Sequence, residues 1–277
     1  MPTPALSKFY RNAFVTGAST GLGRAFAEML LSEGVRVCGT SRDQARLADL
    51  VRAHPESFMP LALDLANGAE AERAFYEADA GAEFDIVINN AGYGLFGEFA
   101  ATEFRLWEDQ LDVMLVNTAR LAHAALRRMT ARRQGALVNI SSLAAEFPLP
   151  FQSAYNIAKS GLSALNESLM IEMAGSGVAV IDFRPGDYRT NFETSVLRPA
   201  PAMPPRALRA WEAFARMMRS GPPPAHAASA LRRALLRRRS ATVRTGRFFQ
   251  AVLAPWLARF GSLALKRRIQ ARYFDVS

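Results

Sequence analysis

Apolar positions along the chain follow two different spacings. Short, nearly continuous apolar runs occur at Ala13–Thr16, Val35–Thr40, Met59–Leu63, Phe84–Ile88, Ala136–Ile140 and Val178–Phe183. Runs of that length are what a strand buried on both faces looks like. Between them, apolar residues recur at helical spacing, as in Leu22, Phe26, Met29 and Leu30, or Leu162, Leu165, Leu169 and Met173. Strand alternating with helix predicts right-handed βαβ crossovers and a parallel sheet with helices on both faces, a doubly wound α/β fold.

The alternation is interrupted once. Two proline-rich stretches, Arg198–Pro205 and Gly221–Pro224, bracket a helical pattern carrying Trp211, Phe214, Met217 and Met218. It reads as an insertion over about 192–224. Insertions of this kind lie above the carboxyl ends of the strands, where ligands bind, so the segment is read as a substrate lid, with plain core packing as the alternative. A helical stripe follows over Ala225–Arg239, made by Ala227, Ala230, Leu231, Ala234 and Leu235, and then a last strand candidate at Ala241–Thr245. From Arg247 onward Phe248, Phe249, Val252, Leu253, Trp256, Leu257 and Phe260 make a wide apolar face ahead of Lys266, Arg267 and Arg268, with Pro255 placed to kink it. One domain over 1–246, with an appendage over 247–277, is expected.

Composition narrows the class. Of 277 residues, 50% are hydrophobic and 21% charged, enough for a substantial core. Cys38 is the single cysteine, so no intrachain disulfide forms, a reducing compartment fits, and its place in a strand suits a small buried hydrophobe. No stretch free of Asp, Glu, Lys and Arg exceeds 12 residues, well short of the ~20 needed to span a bilayer. Met1–Tyr10 lacks the apolar run of a signal peptide, and a cytoplasmic protein is expected. His54, His123 and His226 are scattered singly, which predicts no metal site.

The formal charge of +9 is lopsided: Arg206–Ser277 carries +14 and residues 1–205 carry −5. A mildly acidic body lacks the broad basic footprint of phosphate-backbone binding, which argues against nucleic acid. Paired apolar and basic faces in the tail suit a lipid surface or a partner subunit, including another copy of the chain; the alternative is a stripe packed as core beside solvated arginines.

After the first strand the chain reads Thr16-Gly17-Ala18-Ser19-Thr20-Gly21-Leu22-Gly23 and opens a helix. Glycines so spaced permit a tight turn and bring backbone N–H groups to a pyrophosphate at the positive helix end. The second strand ends Gly39-Thr40-Ser41-Arg42, with no acid at its tip. An acid there would hold the ribose of NAD, whereas an arginine fork suits a 2′-phosphate, so NADP(H) is favoured over a merely solvated Arg42. Asp64-Leu65 closes the third strand, where a carboxylate can meet an adenine amino group, and Asn89-Asn90-Ala91-Gly92 closes the fourth.

Tyr155 and Lys159, at i and i+4, share a helical face. A tyrosine titrating near ~10 is a poor acid–base catalyst at neutral pH, and an adjacent ammonium would lower that value. Ser142, at the end of the fifth strand, can offer a hydroxyl to a substrate oxygen, and Asn117 can hold a relay water. In this order the motifs resemble the short-chain dehydrogenase/reductase family, from about Ala13 to Thr190, including Pro185-Gly186 with Thr190. The resemblance implies a Rossmann-like fold, a tetrad of Asn117, Ser142, Tyr155 and Lys159, Lys159 on the nicotinamide ribose, and Thr190 near the carboxamide. Thr40-Ser41-Arg42-Asp43 and Leu149-Pro150-Phe151 resemble its hydroxysteroid and retinol dehydrogenase branch. The expected activity is NADPH-dependent interconversion of a hydrophobic ketone or aldehyde and its alcohol. A silent dinucleotide-binding sensor or scaffold is the rival, disfavoured because a pure binder has no need of Tyr155 with Ser142.

Overall fold

The computed structural model describes residues 4–199, 203–258 and 260–276; residues 200–202 of the expected insertion, and 259 and 277 of the tail, lie outside them. Among the described residues nine strands run β1 Asn12–Val15, β2 Arg36–Ser41, β3 Phe58–Ala62, β4 Ile86–Asn89, β5 Gly94–Leu95, β6 Gly135–Ile140, β7 Val178–Pro185, β8 Val196–Leu197 and β9 Ala241–Thr245. Seven form one sheet in the order β3-β2-β1-β4-β6-β7-β9, and every pairing is parallel. The order reverses between β1 and β4, which opens a crevice at their carboxyl ends.

The helices are α1 Gly21–Ser32, α2 Ala48–Ala53, α3 Gly68–Ala82, α4 Phe104–Leu111, α5 Asn117–Arg132, α6 Ser153–Glu172, α7 Pro205–Arg219, α8 Pro224–Leu236, α9 Ala254–Leu257 and α10 Leu263–Tyr273. Leu30 of α1 and Leu231 and Leu235 of α8 cover one face of the sheet, together with Ala13 and Val15. Phe75 of α3 and Leu121 and Ala125 of α5 cover the other, where they meet Phe14. Neighbouring residues of β1 thus enter opposite cores, which is why the strand reads as a continuous apolar run. The Phe14 ring packs edge-on to Phe75 at 5.2 Å. Cys38 lies in the second core, where burial pushes its thiol up to about 12 and leaves it inert.

The insertion forms α7, whose Ala207, Ala210, Phe214 and Met218 pack on Phe96 and Val196 in a separate small core. Beneath it β5 and β8 pair as a two-stranded sheet that the sequence reading did not anticipate, since two residues carry no period. A π turn at Phe249–Leu253 runs directly into α9, with Pro255 in the first turn of α9. Phe248, Phe249, Val252, Trp256, Leu257 and Phe260 are exposed rather than packed as core, while Ala251 and Phe274 are buried.

Candidate active site

A cleft of about 1520 Å³ opens along the carboxyl ends of the strands. Its first end is built by the glycine turn. Gly17 and Gly21 have φ of +68° and +58°, backbone that a side chain would strain. A Cβ on Gly23 would overlap the Gly17 carbonyl oxygen, so Gly23 lets α1 approach the turn and does not itself line the cleft. Thr20, the N-cap of α1, makes no side-chain cap bond, and the first turn holds no acid, which leaves backbone N–H groups for an anion. The loops after β1 and β4 are tied together: the Thr16 hydroxyl accepts from the Asn90 and Ala91 N–H groups at 2.9 and 3.0 Å, and the Asn90 amide donates to the Thr16 carbonyl at 3.0 Å.

Ser19, Thr20, Gly21 and Leu22 face this end of the cleft, and so do Asn90, Ala91 and Gly92 from the β4 loop and Asp64 and Leu65 from the β3 loop. At the β2 tip Ser41 and Arg42 line it together with Arg46, which the sequence reading missed although it lies one turn beyond Arg42. Asp43 is not a free ribose acceptor, because its carboxylate caps the following turn by accepting from the Ala45 N–H at 2.9 Å.

At the other end the cleft brings together Ser142, Tyr155 and Lys159 with Pro185, Gly186 and Thr190. Asn117, like Gly23, stands back from the cleft. It is buried at the start of α5, where its amide donates to the Leu65 carbonyl at 2.8 Å, and it does not line the cleft. In this structure it braces the β3 loop, so closely that a Cβ on Gly68 would overlap its Oδ1.

Lys159, only 6% exposed, donates from Nζ to the Ile140 carbonyl at 2.6 Å and stands 5.7 Å from the centre of the Tyr155 ring. Burial pushes its ammonium down to about 8, with Asp182 opposing. Burial also raises the Tyr155 phenol; a hydrogen bond with Ser142 works against this and the Asp187 carboxylate adds to it. The Tyr155 phenol therefore stands above its ordinary value, with burial the largest influence on it. The Ser142 hydroxyl accepts from the Ala144 N–H at 3.0 Å and lies 3.5 Å from the Pro185 carbonyl.

Two further groups went unread in the sequence. Asp187, directly after Pro185-Gly186, lines the cleft, and burial raises its carboxyl while a hydrogen bond from Gln250 and the nearby Arg247 oppose. Gln250 also reaches the Tyr273 hydroxyl at 3.0 Å, linking the tail to this wall. Behind Lys159, Asp182 on β7 accepts from Ser141, from Ser163 at 2.7 Å, from Asn166 at 3.0 Å and from Arg184 at 2.7 Å. This satisfied network fixes the β6 end and the α6 face that carry the site.

A family model described as short chain dehydrogenase matches residues 11–200. A short chain dehydrogenase of Pseudocercospora fijiensis is 32% identical over 186 residues, 65% of this chain; the chain spans 60% of that relative's length. A short chain dehydrogenase/reductase from Burkholderia phymatum, solved in complex with NAD, superimposes with a TM-score of 0.80 at 25% identity, covering 96% of this chain and 97% of that one. A short-chain dehydrogenase from Sphingobium yanoikuyae, solved with NADPH, gives 0.72 at 25% identity over 91% and 92%. The glycine turn, the β4 loop and the Ser142–Tyr155–Lys159 wall thus stand on a fold and a matched sequence that agree, and the chain belongs to the short-chain dehydrogenase/reductase family.

Proposed function

We propose that the protein interconverts a bulky hydrophobic ketone or aldehyde and its alcohol with NADP(H). The observation that carries this reading is the convergence of Ser142, Tyr155 and Lys159 on one cleft with the glycine turn. NADP(H), when bound, supplies or accepts the hydride. The uncapped start of α1 would hold its pyrophosphate, and Ser41, Arg42 and Arg46 its 2′-phosphate. Solved relatives carry either NAD or NADPH, so the choice for this chain rests on those two arginines and on the engagement of Asp43 in its cap.

In the reductive direction the Tyr155 hydroxyl gives its proton to the substrate oxygen, and the Ser142 hydroxyl donates a hydrogen bond to the same oxygen. Lys159, titrating at about 8 and so mostly charged at pH 7, favours the phenolate that proton loss leaves. The substrate is read from size and lining. A cleft of about 1520 Å³ exceeds the roughly 300–1,000 Å³ that houses one drug-sized ligand, so a bulky substrate fits beside a dinucleotide. Leu149, Phe192, Phe214 and Met218 give its walls an apolar character suited to steroid-like, retinoid-like or long-chain carbonyl compounds.

The test is a panel of lipid-like and polar carbonyl compounds with NADPH and NADH, read by loss of nicotinamide absorbance. Lipid-like substrates with NADPH should give the highest kcat/KM; a sugar or small polar ketone outperforming all of them overturns the substrate class. Tyr155→Phe should lower turnover by about 10²–10⁴-fold with NADPH affinity nearly intact, and a variant as fast as the parent refutes the acid.

A further inference from the structure

The tail crosses the mouth of the substrate end. Leu265, Ile269 and Tyr273 of α10, four residues apart on one face, line the cleft, as do Phe249 and Leu257 ahead of them. Lys266 donates to the Glu146 carbonyl and Gln270 to the Pro148 carbonyl at 3.0 Å, and Phe274 is buried, so the segment is anchored beside the site. Its other side has no partner among the described residues. Phe248, Val252 and Trp256 follow at four-residue steps and stay exposed, Phe248 at 73% and Trp256 at 55%. Arg267, Arg268 and Arg272 are exposed on the same segment.

We infer that this outer side is a docking surface for an anionic lipid bilayer, so that the cleft opens where a lipid-borne substrate resides. Charge selects the occupant. Residues 247–277 hold six basic residues and one acid, a net of +5. A second copy docking through the same patch would set two such charges face to face, and nucleic acid would leave the Phe248–Trp256 ridge in water. Aromatic residues beside arginines match the chemistry of a headgroup layer over acyl chains. Among the described residues no helix is long and apolar enough to cross a membrane, so the contact is with the surface.

The test is co-sedimentation of the full chain with vesicles of phosphatidylcholine alone or mixed with phosphatidylglycerol. Binding should require the anionic lipid and fall as salt rises. Arg267→Gln with Arg268→Gln should weaken partition about 30-fold, on the basis of about one basic residue's attraction each. Trp256→Ser with Phe248→Ser should weaken binding at low and high salt alike. Turnover of a carbonyl substrate in detergent-free buffer should match the parent in both double variants, which separates failure of docking from failure of the enzymatic reading and checks the fold. Equal recovery of parent and variants in the supernatant, binding indifferent to lipid charge, or salt-sensitive self-association without vesicle binding would overturn the inference.

Discussion

Lys159→Met tests whether the site is held against the stability of the fold. The buried ammonium titrates at about 8 instead of the ordinary 10.5, and at about 1.4 kcal/mol per unit its charged form costs the folded state about 3 kcal/mol. Between those two values the unfolded chain binds more protons at this residue than the folded chain does. Stability therefore rises with pH across that window, and below about 8 the full penalty applies. Methionine removes the charge at similar length but leaves the Ile140 carbonyl without its donor, a loss of about 1 kcal/mol.

The variant should then be more stable than the parent by about 2 kcal/mol at pH 7, a rise in Tm of roughly 4–8 °C for a chain of this size. Thermal and urea unfolding of both proteins at pH 7 and pH 10 measure it, and the gap should shrink at the higher pH. Tyr10 and Tyr188, pushed up to about 12 by burial, weaken the fold above pH 10 in parent and variant alike and cancel in the difference. Turnover should fall in the same variant. A methionine variant less stable than the parent at pH 7, or a gap equal at the two pH values, would refute the argument that the buried charge opposes folding.

Two other expectations concern the cleft. Arg42→Ala should weaken NADPH about tenfold, the low end of a charge-assisted bond because the residue is exposed, and leave NADH nearly unchanged in fluorescence titration; equal weakening of both would remove its role in cofactor choice. Asp187→Asn removes a carboxylate that raises Tyr155, so the limb of the pH–rate profile belonging to Tyr155 should move to lower pH, and a move upward would show that the charge acts otherwise.

The sheet was legible because each central strand is buried on both sides. Ala13, Phe14 and Val15 leave no polar position to blur the run, and burial on both sides likewise marks β6 and β7 although Asn139, Asp182 and Arg184 interrupt their apolar pattern. Strand edges were less so: the run at Phe84 starts the apolar pattern, but pairing begins at Ile86, because the Phe84 N–H is taken by the Asp79 carboxylate at 2.8 Å. The glycine turn and the Tyr155–Lys159 pair were legible because their chemistry is local, set by φ at two glycines and by one helical turn. Asn117 was legible as a helix residue near the site, but its bond to a carbonyl 52 residues away was not.

Several contacts that shape the substrate end are of this second kind. Glu146 receives Arg184 at 2.7 Å and Arg244 at 2.7 Å across separations of 38 and 98 residues, while its backbone carbonyl accepts from Lys266, 120 residues on. Asp182 and Arg184 alternate with Ile181 and Phe183 on β7, so one face of that strand is polar although all four residues are buried. Such a face is stable only when every polar atom on it finds a partner, and the partners come from Ser141 and Glu146 in the segment after β6 and from Ser163, Asn166 and Glu167 of α6. The same network that satisfies Asp182 therefore aligns Ser141, next to Ser142, and Ser163, one turn after Lys159, so the positions of the reacting side chains follow from the demand that a buried carboxylate be fully bonded.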